Sequence, residues 1–333
     1  MSRTLIVAPN WLGDAVMSHA LVRRLAERDE NGSGGGSGID VVCPEPLAPL
    51  YRMMPGVDEA LGLVQRPGRL DLRARRRLAR QIRGRHQRAI VLPNSAKSAL
   101  LPWMARIPER IGYSGEGRSW LLSDCRPNAS KPLRQVDQYA ALADAPGSVP
   151  AGIDCPPPAI PAECAPGLLG RLGLDLDRPV LSLAAGAAYG PAKRWPAEHF
   201  RSVAEDFLGR GWQVWLLGGA EEAQVVRDIG VGTDLSGRTD VGELAGLLSA
   251  SQLFIGGDSG LLHLACAVGA PALGIYGPTP TDVTPPLGAR SGVAQIENLP
   301  CRPCGERECP LRHHDCMRRQ SPERIIALAG ELL

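Results

Sequence analysis

Short apolar runs recur along this chain with amphipathic stretches between them, and no other feature limits its fold so strongly. Thr4–Val7, Ile39–Val42, Ala89–Leu92, Val180–Leu183, Val214–Leu217, Leu253–Ile255 and Ala272–Ile275 read as buried strands. Asp14–Ala26, Leu70–Arg83, Ala197–Leu208 and Gly242–Leu248 carry the helical period. Alternation of this kind predicts an α/β fold of parallel sheets with helices on both faces. At 333 residues the chain has room for two domains. Residues 145–165 are rich in Pro, Gly and Ala without a period, and read as a linker. The series then restarts with a helix near Pro166–Leu172 and a strand at Val180. We therefore expect two similar domains, residues 1–160 and 161–333, facing each other across a cleft. The closing helix, Pro322–Leu333, is a candidate to pack back on the first domain. The run Asn31–Gly38, built from Gly, Ser and Asn, reads as a surface loop with no function.

Composition excludes several classes. Apolar residues make up 44% of the chain, enough for sizeable cores, and a net charge of +2 gives no global attraction to nucleic acid. No apolar run approaches the ~18 residues of a membrane span. The N-terminus has too short an apolar core for a signal peptide, so a cytosolic protein is expected, most simply a monomer.

Ligands bind open α/β sheets beyond the carboxyl ends of the strands, so a binding site is expected in the loops there. The run Ile255–Ala265 contains Gly257-Asp-Ser-Gly260, the tetrapeptide around the nucleophile of chymotrypsin-like proteases. Such proteases are all-β, whereas here a strand precedes the tetrapeptide and an apolar helical pattern follows it. A better account is a helix capped by Asp258 or Ser259, whose first turn presents free N–H groups to an anion. His263 lies one turn on, able to reach the same anion or to face the core. Lys193, in Gly190-Pro-Ala-Lys-Arg-Trp-Pro196, is a natural phosphate contact, and Glu221, after Gly218-Gly219, can accept from ribose hydroxyls. Tyr276–Asp282 follows a fourth strand. Together these loops point to a nucleotide-diphosphate site in the second domain. In the first domain, Pro9-Asn-Trp-Leu-Gly-Asp14 follows the first strand, and Asp14 is either an N-cap or a general base for an acceptor hydroxyl.

Three clusters stand apart. Arg66, Arg69, Arg73, Arg75, Arg76, Arg77, Arg80, Arg83, Arg85 and Arg88 form a basic stretch, read either as a solvated helix face or as a contact for acceptor phosphates or anionic lipid. Leu100, Leu101, Trp103, Met104 and Ile107 read as core, with a bilayer contact as the alternative. Cys301, Cys304, Cys309 and Cys316, with His313 and His314 among them, have a spacing that can hold zinc or an iron–sulfur cluster. Asp175-Leu-Asp177 precedes a strand and reads as a turn, not a metal-binding pair.

Asn10-Trp-Leu-Gly-Asp14, Leu92-Pro-Asn-Ser-Ala-Lys-Ser98, Gly190–Pro196, Gly257–His263 and Tyr276–Pro280 together resemble the ADP-heptose:lipopolysaccharide heptosyltransferases, most closely the type II branch. The resemblance spans nearly the whole chain. It implies a GT-B fold of two Rossmann-like domains and an inverting transfer needing no metal. ADP-heptose would be the donor, and the first heptose of the lipopolysaccharide inner core, on Kdo and lipid A, the acceptor. It also implies a place at the cytosolic face of the inner membrane. On this analogy Asp14 is the base. Gly13, Lys193, Glu221, Asp258, Ser259, Gly260, Leu261 and His263 hold the donor. Asn10, Trp11, Asn94, Ser95, Lys97 and Arg118 meet the acceptor. The four cysteines would be structural. An epimerase of the same fold would need no acceptor-facing base. A nucleic-acid binder would leave the donor loops unexplained.

Overall fold

The computed structural model describes residues 3–31, 38–64, 70–128, 134–145 and 158–333. Most of the Asn31–Gly38 run, Arg66, Arg69 and the greater part of the 145–165 stretch lie outside the described residues. The chain divides into two compact units, Met1–Pro156 and Pro157–Leu333.

The first unit is a parallel sheet of β1 (Thr4–Val7), β2 (Ile39–Pro44), β3 (Glu59–Leu63), β4 (Arg88–Val91), β5 (Glu109–Tyr113) and β6 (Asp124–Arg126), ordered β3-β2-β1-β4-β5-β6. The second repeats the plan with β7 (Val180–Ala184), β8 (Gln213–Leu216), β9 (Thr233–Asp234), β10 (Leu253–Gly257), β11 (Ala272–Ile275) and β12 (Ser291–Ala294), ordered β12-β11-β10-β7-β8-β9. Two parallel sheets dressed with helices give the α/β, GT-B-like architecture that the alternation and the resemblance implied. In each sheet the chain reverses its direction of travel between two central strands, β1 and β4 in the first, β7 and β10 in the second. A crevice opens at such a point because the loops leaving the two strands diverge to opposite faces.

The central strands are buried along their whole length, which is why they read as continuous apolar runs. The strands that the sequence did not announce are β3, β5, β6, β9 and β12. Four of these are sheet edges, and their half-exposed residues, as in Glu59-Ala-Leu-Gly-Leu63, break the apolar run. The helix expected over Asp14–Ala26 is two helices, Leu12–Met17 and His19–Asn31. At the junction Ser18 Oγ donates to Ala15 O at 2.6 Å and meets Tyr51 Oη at 3.0 Å, a side chain competing with the helical ladder.

In the second unit, Leu181, Leu183, Phe200, Val203, Phe207, Ile255 and Leu273 form the core. The closing helix, Pro322–Gly330, is started by Ser321, whose side chain accepts from Arg324 N. It sets Ile325 and Ala329, both fully buried, into this same core.

Candidate active site

The switch point of the second unit gathers most of the residues that the sequence marked. The loop leaving β7 ends in the short turn Pro191–Lys193, and β10 runs through Asp258 and Ser259 into the helix Gly260–Ala267. Lys193 Nζ stands 2.6 Å from Asp258 Oδ2, a pair whose side chains are 13% and 6% exposed. His263 Nε2 is 3.6 Å from the other carboxylate oxygen. Asp258 is therefore held between an ammonium and an imidazole. Burial alone would raise its pKa, but the hydrogen bond from His263 and the charge of Lys193 outweigh that and hold the carboxyl well below the usual range. It is ionised, and it fixes Lys193 in place. The lysine ammonium also lies 4.8 Å from the centre of the Tyr189 ring, a cation–π contact.

Asp258 thus does not cap the helix. Ser259 occupies the N-cap position with extended backbone and makes no capping hydrogen bond; its Oγ is buried without a partner. The first turn of any helix also leaves N–H groups unpaired, at the positive end of its dipole. An orphaned hydroxyl, free amides and a lysine meet here, and an oxyanion satisfies all three. The approach is close: a Cβ on Gly257 would come within 3.2 Å of Lys193 O. The loop after β11, the strand beside β10, adds Thr279, whose Oγ1 is also buried without a partner. Nothing local in the Tyr276–Asp282 run marks that hydroxyl as unpaired.

Glu221 lies exposed on the turn after β8. Its neighbour Glu222 turns inward over Gly186 and accepts from Gly219 N at 2.8 Å. Burial raises the Glu222 pKa above the usual carboxylate value, partly offset by that amide. Asp175 accepts from Asp177 N at 3.1 Å in the turn before β7.

The cysteine segment braces these loops. Arg302 Nε donates to Gly277 O at 2.6 Å, Gly305 N to Pro278 O at 2.8 Å, and Ala192 N to Arg307 O at 3.0 Å. Gly190 is required there, since a Cβ would lie 2.5 Å from Arg307 O. Cys301, Cys304, Cys309, Cys316 and His313 line one cavity of about 20 Å³. Cys301 Sγ lies 4.0 Å from His313 Nε2. Burial, then the neighbouring thiols, push Cys316 up to about 11. Among the described residues no group of three His, Cys, Asp or Glu side chains is placed to hold a metal ion.

In the first unit the loops after β1 and β4 leave adjacent strands at the switch point. Asn10 and Trp11 are exposed, Trp11 being the N-cap of Leu12–Met17, so Gly13 and Asp14 fall inside the first turn and Asp14 is not the cap. The Asp14 carboxylate accepts from the Tyr139 phenol, whose pKa is raised well above normal by burial first and by Asp14 next. Asn94 is exposed just before the Ala96–Met104 helix and Lys97 in its first turn, and Ser95 Oγ meets Ser98 Oγ at 2.6 Å.

Arg118 corrects the sequence reading. Expected to meet acceptor phosphate, it is fully buried. Its guanidinium donates to Tyr113 O at 2.6 and 3.0 Å, to Asn94 Oδ1 at 3.2 Å and to Pro93 O. With Nη1 also donating to Ser95 O at 3.5 Å, no donor is left for a phosphate; the arginine instead pins the β4 loop to the loop after β5. Arg118→Ala strands these buried carbonyls, and we expect a loss of about 3 kcal/mol in unfolding free energy, read by urea denaturation. Arg118→Lys should fail to restore it, because an ammonium cannot span the same fork.

Comparison with known proteins gives the family. Residues 75–314 match glycosyltransferase family 9 (heptosyltransferase). The chain is 34% identical to lipooligosaccharide heptosyltransferase 2 of Haemophilus influenzae over 99% of each chain. It is 35% identical to lipopolysaccharide heptosyltransferase 2 of Escherichia coli K12 over 88% of each. Among solved structures, E. coli ADP-heptose lipopolysaccharide heptosyltransferase II superposes with a TM-score of 0.85 at 31% identity, covering 99% of this chain and 98% of that one. Sequence motifs, paired sheets and these relatives place the chain in glycosyltransferase family 9, the heptosyltransferases.

Proposed function

We propose that this chain transfers L-glycero-D-manno-heptose from ADP-heptose to the first heptose of the lipopolysaccharide inner core, with inversion and without a metal ion. The observation that carries the reading is the anion site of the second unit, where Lys193 is held by Asp258 beside the orphaned Ser259 hydroxyl and a helix N-terminus. The relatives named heptosyltransferase 2 supply the sugar and the pathway.

The chemistry follows from the charges. The donor diphosphate lies on the Gly260–Ala267 N-terminus, with Lys193 on its β-phosphate, His263 behind Asp258, and Glu221 on the ribose. The acceptor hydroxyl has a pKa far above 7, so its proton must leave as the oxygen attacks. Asp14 takes that proton while the new C–O bond forms on the face of the anomeric carbon opposite the leaving group. The bond to ADP breaks, and its electron pair stays on the β-phosphate oxygen. Lys193 and the helix amides are preset for that charge, the role a metal plays elsewhere. Asn10, Trp11, Asn94, Ser95 and Lys97 border the acceptor, which is borne on lipid at a membrane surface. A lipid-borne acceptor would give the chain a peripheral place at the cytosolic face; among the described residues no helix is long and apolar enough to cross a membrane.

The test incubates the purified protein with ADP-heptose and EDTA, with either a heptose-terminated or a heptose-free core acceptor. ADP release with the heptose-terminated acceptor only is the expected result. Release with neither acceptor, or abolition by EDTA, contradicts the proposal.

A further inference from the structure

The first unit presents exposed arginines and indoles to which the proposed transfer chemistry gives no role. The helix Leu72–Ile82 buries Leu78, Ala79 and Ile82 in its core and exposes Arg73, Arg76, Arg77 and Arg80. From Leu72 to Arg83 there is no acidic residue. Among the described residues none of these four arginines takes part in an ion pair. Arg75 is different: it is buried, with Nε on Leu70 O at 2.9 Å.

Next to this helix packs Ala96–Met104, joined to it where Arg83 Nη2 donates to Met104 O at 3.1 Å. That second helix exposes Trp103 to 46%, and the neighbouring turn Arg118–Leu121 exposes Trp120 to 67%. The two indoles meet edge to face, 6.0 Å between centres. Exposed Arg106 follows. The stretch 98–107, read from sequence as core, is therefore divided, with Leu101 and Ile107 inside and Trp103 out.

Two large indoles held in water beside unpaired arginines call for a partner that is apolar at one depth and anionic at the next. A bilayer surface has that layering: indoles settle at the headgroup level, and arginine stems run along apolar matter with their heads on phosphate. Two indoles packed edge to face cannot both sandwich a base, which disfavours RNA. We infer that this face, made by Leu72–Ile82, Ala96–Met104 and the Arg118–Leu121 turn, docks the protein on an anionic lipid bilayer. The inference rests on the proposed reading that the acceptor is lipid-borne. Docking holds the first unit where such an acceptor is displayed.

Co-sedimentation of the full chain with phosphatidylcholine vesicles, with and without phosphatidylglycerol, tests it. The unaltered protein should bind the anionic vesicles only, and lose them as salt rises. Replacing Arg73, Arg76, Arg77 and Arg80 by Gln should weaken partitioning at least tenfold, at about fivefold per arginine for ideal additivity. Trp103→Ala with Trp120→Ala should weaken it severalfold and abolish quenching of indole emission by brominated lipid. Both variants should transfer heptose to a delipidated, water-soluble acceptor as the parent does, and loss of vesicle binding with that activity kept supports the docking face. Equal binding to neutral vesicles, undiminished binding by both variants, or tighter binding to duplex RNA than to anionic vesicles would overturn it. Failure of the parent to transfer to the soluble acceptor speaks against the proposed reaction instead.

Discussion

Asp14→Asn should lower turnover of heptose transfer by roughly 10²–10⁴-fold, the usual worth of a positioned general base. The substitution keeps shape and an oxygen that can accept from the Tyr139 phenol, so the fold around Leu12–Met17 is preserved. What it removes is the capacity to take a proton. Affinity for ADP should stay within about twofold, because the proposed diphosphate site belongs to the other unit. Steady-state kinetics paired with calorimetric titration of ADP separates these effects. A variant retaining more than about a tenth of parental turnover would deny Asp14 the role of base and favour an enzyme that needs no acceptor-side proton transfer, such as an epimerase.

Lys193→Ala should cost roughly 10²–10³-fold in turnover, the range seen when one preset donor to a developing oxyanion is lost. The effect belongs in the chemical step, since charge on the β-phosphate grows as the bond to the sugar breaks. Affinity for ADP should also fall, because that leaving group carries the same charge. A second consequence follows from the pair at 2.6 Å: Asp258, 7% exposed, loses the ammonium that compensates its burial. Its pKa should rise toward the ordinary carboxylate range, and the loop after β10 should loosen. Lys193→Arg retains charge but not the compact head beside Tyr189, and should recover binding of ADP better than turnover. Turnover of Lys193→Ala equal to the parent's would remove the lysine from the leaving-group site.

Much of this was legible in the residues themselves. The central strands announce themselves because both of their faces are buried, and a run such as Thr4-Leu-Ile-Val7 has no reason to be polar. Edge strands face solvent on one side and hydrogen-bond on one side only, so Glu59–Leu63 and Asp124–Arg126 look like loops until a sheet is there to receive them. The loop proposed to hold the anion was visible because glycine, serine and a helix start coincide in Gly257–Gly260. Its electrostatics were not visible: Lys193 and Asp258 are 65 positions apart, and only the order β10 beside β7 joins them. The same limit explains Arg118. In sequence, Gly115-Glu-Gly-Arg118 resembles an exposed basic turn. In the fold, the turn bends the guanidinium inward onto carbonyls of Pro93 and Tyr113, which no local pattern reveals. Glu221 and Glu222 are adjacent and chemically alike, yet one is exposed and the other closes over Gly186, a difference set by the turn.

The central claim is that the donor's diphosphate is gripped by Lys193 and the amide end of the Gly260–Ala267 helix. A crystal structure of the full chain with ADP bound tests it most directly. We predict β-phosphate oxygens within hydrogen-bond reach of Lys193 Nζ, the Ser259 hydroxyl and the amides of Gly260 and Leu261. A diphosphate seated elsewhere, with the Ser259 hydroxyl still unpartnered, would contradict the account.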